Sequence, residues 1–191
     1  MSRPRIPMLS LEDSIAAAEE VRVPSALAEL NVFRILLRRP KTAKAVNDLL
    51  LSLLFGGTLD DRLRELVIMR IGWVTGSDYE WTQHWTVAQD PFGCSVDDLL
   101  AVREWRTSDA FGDVERAVLG AVDETLETGT ASAATIAGCR ELLGSDDAVF
   151  ELVAAIATWR WISQVARSID IPLEDGVESW PPDGKAGRGF G

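Results

Sequence analysis

Residues 60–85 read DDRLRELVIMRIGWVTGSDYEWTQHW. Asp60 or Thr58 can cap a helix whose apolar residues run from Leu63 to Val74, and Gly76 supplies its stop. Ser77 or Asp78 then caps a second helix over DYEWTQHWTVAQD, ended by Pro91. Two adjacent helices joined at Gly76, each with an apolar stripe, predict a pair packed against each other.

Outward from this pair the same grammar repeats. Upstream, Ser10 caps LEDSIAAAEE, Ser25 opens ALAELNVFRILLRRP, and Pro40 separates it from KTAKAVNDLLLSLLFGG. Downstream come SVDDLLAVREW, DVERAVLGAVDETLETG, SAATIAGCRELLG and DDAVFELVAAIATWRWISQVARSID. No run of alternating residues is bounded by hairpin turns, so no sheet is required. The expectation is an all-α bundle of about eight helices. An N-terminal arm and short helix occupy 1–24, a helical domain occupies 25–170, and a Gly/Pro-rich coil tail occupies 171–191.

The chain has 191 residues, enough for one domain with a real core. Its net charge of −11 repels phosphate backbones, so nucleic acid is not an expected partner. The apolar stretches are too short to span a bilayer, and the N-terminus lacks the apolar run of a signal peptide. Two cysteines far apart, Cys94 and Cys139, build neither a disulfide framework nor a CxxC redox motif. A reduced cytoplasmic protein is expected.

His84 is the sole histidine. Glu80 lies four residues before it, so the two side chains share a helix face and the carboxylate can raise the imidazole pKa. Such a pair is either an inconsequential surface contact or, sheltered by the flanking Trp81 and Trp85, a proton-handling site. Glu65 sits on a face with Ile68, Met69 and Gly72, where a carboxylate needs a partner. Either a salt bridge with Arg62 or Arg64 or a functional role accounts for it. A metal site is not expected. Catalytic zinc and iron sites favour more than one imidazole, and di-iron bundles use two Glu-x-x-His pairs. No GxSxG elbow is present for a serine hydrolase.

Taken together, Arg64-Glu65-Leu66-Val67-Ile68, then Gly76-Ser77-Asp78-Tyr79-Glu80-Trp81, then His84 resemble the core of the carboxymuconolactone decarboxylase-like proteins, a superfamily that includes thiol-type alkylhydroperoxidases. Asn31-Val32-Phe33-Arg34 with Pro40 resembles the family's lead-in helix, and Gly57-Thr58-Leu59 the turn before its core helix. The resemblance covers roughly residues 27–90, and Trp180-Pro181-Pro182 is similar to longer members. Where peroxidase members carry CxxC, this chain has Ser77 and Glu80, so the two-thiol cycle cannot run there.

The resemblance therefore implies the decarboxylase-type branch: helical, oligomeric as a trimer or hexamer, and free of organic cofactors. Glu65, Glu80 and His84 would be catalytic. His84 would donate a proton, Glu80 would set its charge and Glu65 would relay. Trp81, Trp85 and Tyr79 would line the substrate site, with Arg70 or an arginine of a neighbouring subunit holding the substrate's acid group. The implied activity is a carboxy-lyase on a small carboxylated lactone or keto acid. A non-catalytic oligomeric binding module, or a tailoring isomerase or cyclase of a biosynthetic route, is the alternative on the same fold.

Overall fold

The computed structural model describes residues 4–189. All regular elements among them are helical: α1 (Leu11–Val21), α2 (Ser25–Ala28), α3 (Asn31–Leu36), α4 (Pro40–Leu54), α5 (Asp61–Thr75), α6 (Asp78–Gln89), α7 (Val96–Ala101), α8 (Asp113–Thr128), α9 (Ala133–Leu143) and α10 (Asp146–Ile169), with a 3₁₀ turn over Val102–Glu104. The all-α expectation holds, and no described helix is long and apolar enough to cross a membrane. The single helix expected after Ser25 is instead two short ones. Leu30 adopts an extended backbone at φ −71, ψ 134, and the Asn31 N–H turns to the Glu174 carboxylate at 2.8 Å. Pro40 begins α4 rather than only ending its predecessor, since a first-turn residue needs no N–H.

The chain divides into two compact units. One runs to Phe55 and includes Val165–Val177; the other comprises Gly56–Gln164 and the segment from Glu178. This division cuts across the expected boundaries at 24 and 170. In the first unit the Asn31 amide donates to the carbonyls of Pro172 and Leu173, and the Arg5 N–H to that of Ile169 at 2.7 Å. Residues on either side of 170 thus belong with the early helices. Within that unit α1 packs on α2, α3 and α4, and the Ser14 hydroxyl, buried, donates to the Ala28 carbonyl.

The second unit is organised around α5, which packs on α6, α7, α8 and the 3₁₀ turn. Asp60 caps it by accepting the Leu63 N–H at 3.0 Å. Nearly all its length from Leu63 is buried, so the helix has no solvent face on which to leave a charge. Gly76 ends it in the left-handed region at φ +66, where its N–H reaches back to the last carbonyls. Gly72 lets α6 approach, since a Cβ there would stand 3.1 Å from the Trp81 nitrogen. The segment expected as a coil tail contains no helix, yet its second half is held firmly in this unit. The Trp180 N–H and Ser179 hydroxyl donate to Asp78, Arg103 pairs with Asp183 at 2.9 Å, and the Arg188 N–H donates to the Trp73 carbonyl at 3.1 Å.

Candidate active site

Because α5 is buried all round, its ionisable side chains must find partners inside the protein. Glu65, completely buried, faces α6, and its Oε2 lies 2.8 Å from Nδ1 of His84. Its other oxygen lies 3.4 Å from Nε of the preceding Arg64, whose guanidinium also reaches Asp61 and stacks over the Phe92 ring. Glu65 is thus ion-paired with Arg64, as one sequence reading expected, and is also bonded to His84. Helix spacing pointed to Glu80 as the partner of His84, but its hydrogen-bonding carboxylate comes from Glu65 on the neighbouring helix. Glu80 sits down in the α5–α6 contact beside Gly72, and its Oε2 is a buried oxygen without a hydrogen-bond partner.

The other ring nitrogen of His84 is also engaged. Nε1 of Trp159, on α10, donates to Nε2 at 3.2 Å, with the rings nearly perpendicular at 79°. No spacing rule could reveal Trp159, which lies 75 residues beyond His84. The His84 side chain remains 16% exposed, so the imidazole has a narrow outlet.

These surroundings set the charges. Burial pushes the Glu80 carboxyl up to about 7, with His84 opposing and Glu65 reinforcing the shift. For His84, burial works against the cation. The charge and hydrogen bond of Glu65, with Glu80 behind it, prevail over burial and Arg64, and the ring's pKa stands above its ordinary value. A carboxyl that titrates at about 7 and an imidazole raised above its ordinary value thus share one buried carboxylate cluster, an arrangement enzymes use to move protons at physiological pH.

The remaining expected residues lie elsewhere. Trp81, fully buried, packs against Trp73, Trp85 and Trp180, and its indole donates to the Pro181 carbonyl at 2.8 Å. It is the floor beneath the C-terminal segment and not a pocket wall. Trp85 is half-buried on the same stack, and Tyr79 is buried. Arg70 is not free to hold a ligand. Its guanidinium forks onto Asp123 at 2.7 and 2.9 Å and donates to the carbonyls of Val102 and Arg103. Arg64 is the cation that sequence reasoning passed over. It is 2% exposed, and its Nη2 has no partner.

Cys94 and Cys139 are free and buried. Burial, with the charges of Glu65 and Asp98, pushes the Cys94 thiol up to about 12, so it is not a reactive thiolate. Among the described residues no group of three or more His, Cys, Asp or Glu side chains is placed to hold a metal ion.

Comparison with known proteins agrees with the helical fold. A peroxidase-related protein from Ralstonia eutropha with an alkylhydroperoxidase AhpD core superposes with a TM-score of 0.74, at 19% identity over 92% of this chain and 94% of that one. An Agrobacterium tumefaciens protein of unknown function, related to the antioxidant defence protein AhpD, gives a TM-score of 0.64 at 25% identity, over 72% and 94% of the two chains. A cysteine-to-alanine variant of the debrominase Bmp8, solved with 2,3,4-tribromopyrrole, gives 0.66 at 18% identity over 86% of each. No curated protein sequence matches the chain. The family model of the carboxymuconolactone decarboxylase family matches residues 40–124, from α4 through most of α8 and across Glu65, Glu80 and His84. Residues 40–124 thus match the carboxymuconolactone decarboxylase family model, on an alkylhydroperoxidase-like helical fold.

Proposed function

We propose that the protein is a cofactor-free carboxy-lyase acting on a small carboxylated lactone or keto acid, with Glu65, Glu80 and His84 as its acid–base set. One observation carries the reading: the buried Glu65–His84 pair at 2.8 Å lies beside a second carboxyl, Glu80, that titrates at about 7 and has an oxygen to spare. An assembly module has no need of such a cluster, which costs folding free energy.

Loss of carbon dioxide from a carboxylated butenolide leaves an electron pair that spreads to the lactone carbonyl. The site must desolvate the departing carboxylate, stabilise the oxyanion and deliver a proton to a ring carbon. His84, charged beside Glu65, supplies the proton. Glu80, half-protonated near neutrality, restores it or acts as a second donor. Arg64 takes the role of the substrate-binding cation in place of Arg70, because its Nη2 is a buried donor without a partner. An oligomer is part of the proposal: α10 exposes Phe150, Val153 and Trp161 at helical spacing, an apolar stripe suited to another subunit. The free thiols fit a reducing cytoplasm.

The test is carbon dioxide release from a panel of carboxylated butenolides and keto acids, with His84→Gln as control. Release that depends on His84 supports the reading. Turnover without carbon dioxide would replace it with an isomerase or cyclase. Absence of turnover across the panel, with no bound acid detected by native mass spectrometry, would replace it with a binding module.

A further inference from the structure

Both nitrogens of His84 are engaged, and the two partners differ in kind. At Nδ1 stands the Glu65 carboxylate, which only accepts; at Nε2 stands the Trp159 indole N–H, which only donates. One form of the ring satisfies both: the neutral imidazole with its proton on Nδ1 and a lone pair on Nε2. An imidazolium would point its Nε2–H at the Trp159 N–H, two donors face to face in a site with little water. Trp159 is 2% exposed, so in the empty site its indole does not exchange this bond for one to solvent.

We infer that Trp159 is a positioning residue that biases His84 toward the neutral, Nδ1-protonated ring in the empty site, and that an anionic oxygen taking the indole's place at Nε2 reverses that bias toward the cation. The charged groups acting on the ring are Glu65 and Arg64 from α5 and Glu80 from α6, and α10 adds the Trp159 N–H. Glu65 and Glu80 pull toward the cation, whereas Trp159 and burial pull against it. A bound carboxylate or enolate tips that balance, because it accepts the Nε2–H that the indole cannot. The charged proton donor is thereby favoured most when an anion is present. The ligand class follows: a small anion whose oxygen reaches Nε2, not a neutral ring. The inference rests on the acid–base reading of the site for its link to turnover, but not for its state in the empty protein.

His84 is the only histidine, so protein labelled with ¹⁵N-histidine gives a single imidazole to follow. In the wild-type protein without ligand, the neutral ring is expected to carry its proton on Nδ1 and to show Nε2 as a hydrogen-bonded acceptor. One of the seven tryptophan indole N–H signals is expected to move with the His84 titration midpoint. A neutral ring protonated on Nε2, or indole signals that all ignore that titration, overturns the inference without any variant. In Trp159→Phe the midpoint should rise by about one pH unit, the loss of one net hydrogen bond to the neutral form. An unchanged or lowered midpoint in the folded variant also overturns it. Once a substrate is found, the alkaline limb of the Trp159→Phe pH–rate profile should move up with the midpoint. Failure of the lyase assay with the expected NMR result would strike the proposed activity and leave this arrangement standing. Turnover with a contrary NMR result would do the reverse.

Discussion

Helix α5 buries two charged clusters less than two turns apart, and they are built on opposite principles. At Arg70 the guanidinium and the Asp123 carboxylate meet as a two-pronged pair. Trp105 and Arg106 fill the remaining sites of the acid, and the Val102 and Arg103 carbonyls those of the base. Burial works against the Asp123 charge, but these partners outweigh it and hold its pKa below the ordinary carboxylate range. At Glu65 the buried groups are under-provided: Arg64 Nη2 and Glu80 Oε2 lack partners, and both Glu80 and His84 titrate above their ordinary values. A saturated cluster fixes structure, whereas an unsaturated one has capacity for a substrate. The two also respond oppositely to pH. Asp123, depressed in the fold, contributes stability at neutral pH that is lost as pH falls through its folded value. Glu80 and His84, raised in the fold, contribute stability at low pH that is lost as pH rises through theirs.

The largest expected effect tests which cluster does chemistry. His84→Gln should lower turnover by roughly 100- to 10,000-fold, the usual worth of positioned proton transfer, while circular dichroism still reports a full helical fold. Turnover within a few-fold of wild type would remove the histidine from the mechanism.

Next is the cluster assigned to structure. Arg70→Leu leaves Asp123 buried without its main partner and should cost about 3–5 kcal/mol in urea unfolding. A loss under about 1 kcal/mol, the range of surface pairs, would erase the distinction between the two clusters.

Smaller and pH-dependent is Glu80→Gln. The folded pKa of about 7 lies above the unfolded 4.5, so the native state holds an extra proton between those values and loses stability as pH rises. The glutamine is permanently neutral and escapes that loss. The variant should match wild type near pH 4 and exceed it by about 3 kcal/mol at pH 8 in thermal or urea unfolding. A constant difference across this range would mean that Glu80 ionises in the fold as it does in water. The alkaline limb of the pH–rate profile should also move to lower pH, since His84 loses one of its two acidic neighbours.

The smallest effect belongs to the thiols. Cys94→Ser with Cys139→Ser should leave turnover unchanged, because both thiols are buried and burial raises their pKa, so neither is a ready nucleophile. Lost turnover in a folded double variant would restore a thiol to the chemistry.

Much of this was legible along the chain. Caps and stops located α5 and α6 because Asp60 and Gly76 act on backbone groups within four residues of themselves. The resemblance singled out Glu65, Glu80 and His84 for the same local reason: a motif confined to two consecutive helices is written continuously. Legibility failed where partners are distant. The helix expected after Ser25 breaks because Asn31 turns to residues more than 140 positions away, and the terminal segment read as a coil is held on Asp78 by Ser179 and Trp180.

The sequence by itself determined an all-helical chain, and its motif marked out Glu65, Glu80 and His84. These follow from helix periodicity, capping and a short motif. Only the tertiary structure decided how those residues are wired. Helix neighbours place Glu80 one turn from His84, yet side-chain direction and the close α5–α6 approach at Gly72 give the imidazole to Glu65. The long α10 brings Trp159 to its other nitrogen. Arg70 and Arg64 look equivalent as letters on one helix. Asp123 saturates the first and leaves the second with an open donor, because α8 packs where it does.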